Sequence, residues 1–114
     1  MKFYKQEFEG VWLVEAEPIV DNRGVFRRHF CQREFHEFGL GINIAQTNIS
    51  ENKNKYTLRG FHYQRPPHGE DKIITCLNGG IYNVIIDLRP DSKTFLKWMY
   101  IELKAEDFFS IYIP

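Results

Sequence analysis

The densest group of chemically useful side chains is Leu58-Arg59-Gly60-Phe61-His62-Tyr63-Gln64, with Lys72 ten residues beyond His62. Imidazole has the unperturbed pKa nearest neutrality, so a histidine is the usual general base. Spacing alone favours plainer readings: a strand histidine with ordinary hydrogen bonds, and a lysine at a solvated strand end. Gln46 and Asn48 carry more information. Alternation puts them on the face that holds Ile42 and Ile44, so polar amides point into an expected interior. Buried amides need partners, and the polar mouth of a barrel is where a ligand supplies them.

Metal binding is the rival chemistry for His62. Barrels that hold a metal through a His-x-His pair on one strand would need a second histidine where this chain has Gln64. Pro66-Pro67 also breaks the strand before His68 and Glu70 can join His62, while His29 and His36 lie elsewhere. No metal and no other cofactor is expected. Nucleophilic catalysis has little support: Cys31 and Cys76 have no neighbouring histidine, and no Gly-x-Ser-x-Gly elbow is present.

These residues must be positioned by β structure. Gly10–Val20 reads as one strand or two short ones broken near Pro18, Asp21-Asn22-Arg23-Gly24 as a turn, and Val25–Phe30 as extended. Phe35 and Phe38 followed by Gly39 predict one short helix over Gln32–Phe38. Ile42–Ser50 alternates as a strand. Lys72–Leu77 and Ile81–Leu88 read as a hairpin closed by Asn78-Gly79-Gly80, with Tyr82, Val84, Ile86 and Leu88 as its apolar face. Arg89–Ser92 is a turn, Trp98–Leu103 a strand, Lys104–Asp107 a turn, and Phe108–Ile113 a last strand. Short, regularly spaced strands predict an antiparallel β-barrel or sandwich with one small helix.

With 114 residues the chain is one domain, and a formal net charge of zero provides no basic field for nucleic acid. Aromatic residues make up 16% of it, which favours pleated, half-buried surfaces. No apolar run approaches the roughly 20 residues of a membrane span, and Met1–Glu7 lacks the apolar core of a secretory signal. Two cysteines 45 residues apart read as reduced thiols. A cytoplasmic protein without nucleic-acid or membrane partners is expected.

The order of motifs is more specific than any one of them. Asp21-Asn22-Arg23-Gly24-Val25-Phe26, then Gln46-Thr47-Asn48-Ile49-Ser50, then Arg59-Gly60-Phe61-His62-Tyr63-Gln64 resembles the dTDP-4-dehydrorhamnose 3,5-epimerase family. Lys72, Asp87-Leu88-Arg89 with Ser92 and Thr94, and Ile113-Pro114 follow in the family's order. The resemblance implies a cupin or jelly-roll β-barrel that epimerises a dTDP-linked 4-keto-6-deoxyhexose beside its ketone, in deoxysugar biosynthesis. It implies His62 as the base and Lys72 as the cation beside the ketone oxygen. It also implies Arg59 near the phosphates, Gln46, Thr47 and Asn48 along the nucleotide sugar, and Arg23 as a nucleotide contact reaching into the neighbouring subunit. A homodimer with exchanged N-terminal strands follows from that last role.

Two departures accompany the resemblance. Arg28 stands where the family usually has glutamate. The family's acid on the opposite sugar face, a tyrosine, and the carboxylate paired with its catalytic histidine have no match among these residues. The expectation is therefore a single epimerase domain that matches the family's N-terminal two-thirds and lacks its C-terminal part. A non-catalytic dTDP-sugar-binding barrel and a related cupin ketoisomerase are the alternatives. Alternation also separates Arg59 from His62 by a face, which requires a bulge or twist near Gly60.

Overall fold

A computed structural model describes residues 1–114. Its eight strands and one short helix confirm the expected all-β class. The main sheet has four strands in the order β1 (Lys2–Lys5), β2 (Trp12–Glu15), β8 (Phe109–Ile113) and β5 (Lys72–Thr75). Every pair in it is antiparallel. Two two-stranded ribbons complete the set: β3 (Ile19–Asp21) with β4 (Gly24–Phe26), and β6 (Gly80–Ile86) with β7 (Trp98–Lys104). The three sheets do not close into a continuous barrel.

The main sheet is covered on both faces. On one, Leu13, Ile74, Ile111 and Ile113 meet Ile81, Ile85, Met99, Ile101 and Leu103 of the β6–β7 ribbon, with Phe8, Val11 and Cys76 between. On the other, Trp12, Val14, Ile73 and Tyr112 meet Phe3, Phe35 and Leu40. The helix α1 (Gln32–Glu37) exists to bring Phe35 to that second face, where its ring packs edge-on against Phe3. Gly39, at φ 75°, ends the helix in a conformation that costs other residues more.

The break at Pro18 falls where the sequence placed it, between β2 and β3. Asp21 accepts from the backbone N–H of Arg23 at 2.8 Å and tightens the β3–β4 turn. Of the expected extended run to Phe30, only Gly24–Phe26 is paired.

Three expectations are corrected. Lys72–Leu77 and Ile81–Leu88 do not pair with each other: β5 pairs with β8, and β6 with β7. The glycine turn is a corner that passes the chain from one sheet to the facing one, and the Gly79 carbonyl accepts from Ala105 N–H at 3.0 Å. The inward face of β6 is also the reverse of the expected one. Ile81, Ile85 and Asp87 point inward, while Tyr82 lies outside and stacks on Tyr100 at 4.7 Å. Finally, Ile42–Ser50 is not a strand, and no regular element occurs between Glu37 and Lys72. Alternation gives a segment two faces but no ladder partner, and the open edges of β1 and β5 stay unpaired here.

A buried carboxylate closes the end of the β6–β7 ribbon. Asp87, 4% exposed, accepts from Arg89, Ser92 and Thr94, and Arg89 reaches on to the carbonyl of Glu9 at 2.8 Å.

Candidate active site

Lys72 is the one candidate held by a strand. It opens β5 and lies opposite Ile113 of β8, so it shares the face that Ile74, Ile111 and Ile113 present to the β6–β7 ribbon. The ammonium therefore projects toward the space between the two walls. Its ion partner is Glu70, two residues earlier in the chain. Both side chains are more than a third exposed or close to it, so the pair contributes little and leaves Lys72 free to exchange partners.

The neighbouring residue is held more firmly. Tyr112 is 5% exposed, and its hydroxyl donates to Asp71 Oδ2 at 2.7 Å. Burial, and then the Asp71 carboxylate itself, push the phenol above its ordinary pKa. Sequence reasoning missed this pair. The signal available was an aspartate directly before Lys72 and a polar-tipped aromatic in an otherwise apolar last strand.

The other candidates lie on irregular or projecting segments. His62 is exposed and makes no hydrogen bond through its ring. Arg59 is exposed and donates from Nε to Asn52 Oδ1 at 2.7 Å. Gln46, Thr47 and Asn48 are exposed on an unpaired run, not inside a barrel as alternation suggested. Gly60 adopts φ 129°, but no strand runs through it, so the expected bulge has no ladder to interrupt. Arg23 sits at the tip of the β3–β4 ribbon and pairs with Asp21 at 2.6 Å. Arg28, the residue of opposite charge to the family's, binds Glu34 of α1 at 2.5 Å. No hydrogen bond or ion pair joins any two of the seven candidates, and Lys72 alone stands on the wall of the sandwich.

Three strand-predicted tyrosines lie in different surroundings. Tyr112 faces the helix side of the sheet and is committed to Asp71; Tyr82 is stacked on Tyr100 outside; Tyr63 is 59% exposed.

Comparison with known proteins identifies the family. The family model described as dTDP-4-dehydrorhamnose 3,5-epimerase matches residues 5–114. The chain is 35% identical over 115 residues to the enzyme of that name from Escherichia coli K12, covering 100% of this chain and 62% of that protein. It thus spans about three-fifths of the length of the curated relatives it matches. Among solved structures, the Bacillus anthracis enzyme with TDP and pyrophosphate bound superposes with a TM-score of 0.95 at 32% identity, covering 99% of this chain and 65% of the other. A 3'-monoepimerase from Streptomyces bikiniensis in complex with dTDP-quinovose gives 0.87 at 31% identity, with 95% and 55% covered. Fold, motif order and sequence agree: the chain belongs to the dTDP-4-dehydrorhamnose 3,5-epimerase family.

Proposed function

We propose that this chain provides the base and the enolate-stabilising cation for epimerisation of a dTDP-linked 4-keto-6-deoxyhexose at C3, C5 or both, in deoxysugar biosynthesis. The observation that carries the reading is the match over residues 5–114 to a family of such epimerases; the resemblance of Arg59–Gln64 and Lys72 to that family's motifs supports His62 as base and Lys72 as cation. Related solved proteins are described with TDP, dTDP-quinovose and dTDP-4-keto-L-rhamnose bound.

In this mechanism His62 takes the proton from a carbon next to the ketone, and the C–H electron pair moves into an enolate whose oxygen faces the Lys72 ammonium. A preorganised cation makes such a proton acidic enough to remove. Return of a proton to the opposite face completes inversion. The reading assigns no donor for that step among Tyr63, Tyr82 and Tyr112. Arg59 and Arg23 supply guanidinium forks for the phosphates and nucleotide. Gln46, Thr47 and Asn48 line the sugar once their segment is covered. No metal takes part.

Assembly belongs to the same reading. The β3–β4 ribbon carries Ile19, Val20, Val25 and Phe26, each at least half exposed, with Arg23 at its tip. A homodimer in which this ribbon crosses into the neighbouring subunit covers that surface and delivers Arg23 to a substrate.

The test is solvent deuterium entering a dTDP-4-keto-6-deoxyhexose, followed by NMR. His62→Asn lowers exchange about a hundredfold or more while dTDP still binds. Unchanged exchange refutes the base. Binding without exchange in the unaltered protein favours the second reading, a dTDP-sugar-binding barrel, which the exposed, unpartnered His62 ring supports.

A further inference from the structure

We propose that Tyr112 is a positioning residue that, through its hydrogen bond to Asp71, fixes the start of β5 and so the reach of Lys72 into the space between the sheets. The inference rests on the reading of Lys72 as the cation beside the substrate ketone.

The geometry is that of a strand end under unequal restraint. The β5–β8 ladder stops at Lys72 opposite Ile113. Before it lies a long stretch without a paired strand, so nothing upstream holds residue 71 in register. Strand ends of this kind fray. Two groups oppose fraying here, and they are unequal. The Glu70 ion pair joins two solvated side chains within one turn of chain, so it moves with the end it would have to hold. The Tyr112 hydroxyl belongs to a residue 5% exposed, on a central strand flanked by β2 and β5.

The direction of the tie also matters. Tyr112 lies opposite Ile73, and alternation puts Asp71 on that same, helix-side face. A tyrosine reaches a diagonal neighbour two residues along the facing strand. Drawing Asp71 to one face obliges Lys72 to point to the other, the face it shares with Ile113. A buried hydroxyl left without its acceptor is unfavourable, so the contact is self-enforcing.

The test pairs a structural and a kinetic readout on Tyr112→Phe, Asp71→Ala and Asp71→Asn. Amide hydrogen exchange at whichever of Lys72 and Ile73 donates to β8 rises about tenfold in Tyr112→Phe and Asp71→Ala, while Ile111 stays protected. Substrate α-proton exchange at saturation falls about tenfold in the same two variants, with the dTDP dissociation constant within about twofold. Asp71→Asn, whose amide oxygen still accepts the hydroxyl, stays near the unaltered protein in both. The variant combining Tyr112→Phe with Asp71→Ala is no worse than either alone. A loss in Asp71→Asn equal to that in Asp71→Ala, or unchanged protection at the β8-bonded amide, overturns the inference. Proton exchange that Tyr112→Phe leaves untouched overturns it while the functional reading stands. No proton exchange in the unaltered protein overturns both.

Discussion

Asp87 is the most heavily bonded side chain in the protein. Its Oδ1 accepts from Arg89 backbone N–H and Nε, and its Oδ2 from Arg89, Ser92 and Thr94. The Arg89 guanidinium is the largest cause of a carboxyl held far below its usual range, and burial works against it. Because the folded-state value is depressed, the stability Asp87 contributes is present above the unfolded carboxylate range, about 4, and is lost as pH falls below it. Asp87→Ala leaves several donors without an acceptor and costs about 2–4 kcal/mol, read from urea unfolding at pH 7. The penalty shrinks as the titration is repeated toward pH 3. An unchanged penalty there contradicts the assigned role. The motif Asp87-Leu88-Arg89 was legible in the sequence as a family signature. Its job as a knot tying the ribbon's end to the Glu9 carbonyl was not, because that partner lies 80 residues away.

Among the elements, what was legible divides by the kind of signal. The helix, the β3–β4 turn, β7 and β8 are local events announced by local chemistry: Gly39 as a stop, Asp21 as a turn acceptor, alternation in Trp98–Leu103. Pairing is not local. Asn78-Gly79-Gly80 announces that the chain turns, but not whether it turns back along its own sheet or over to the next. The inward face of β6 was misread for a related reason, since both faces of Ile81–Leu88 carry apolar residues. Burial decides between them. Ile85→Ala costs about 2–5 kcal/mol, whereas Tyr82→Ala, at 57% exposure, costs less than about 1 kcal/mol. Thermal melts of the two variants distinguish them, and the opposite order restores the sequence-based assignment. The candidate residues were singled out by the order of their motifs, not by residue type or spacing. They lie mostly on the unpaired stretch, where no ladder turns spacing into position.

For the whole molecule, the Cα radius of gyration of 15.0 Å exceeds the roughly 13 Å of a compact chain of this length. The excess comes from parts that bury little, among them the stretch carrying His62 and the β3–β4 ribbon. Exposed apolar residues of that density mark an interaction surface. If the proposed homodimer forms, Phe26→Glu, at a position 73% exposed, shifts it toward monomer by light scattering while leaving the melting temperature within a few degrees. An unaltered protein that is already monomeric at micromolar concentration rules out the proposed exchange. The corner at Asn78–Gly80 has a different consequence. Sandwich walls normally meet through residues far apart in the chain, so their contact waits on the closure of a long loop. Here Ile74 of one wall and Ile81 and Ile85 of the other share one core cluster, with only the corner between β5 and β6 separating them in the chain. Closing so short a loop costs little entropy. The two walls can thus find each other first in folding, and β8 and β7 can then add to surfaces already apposed.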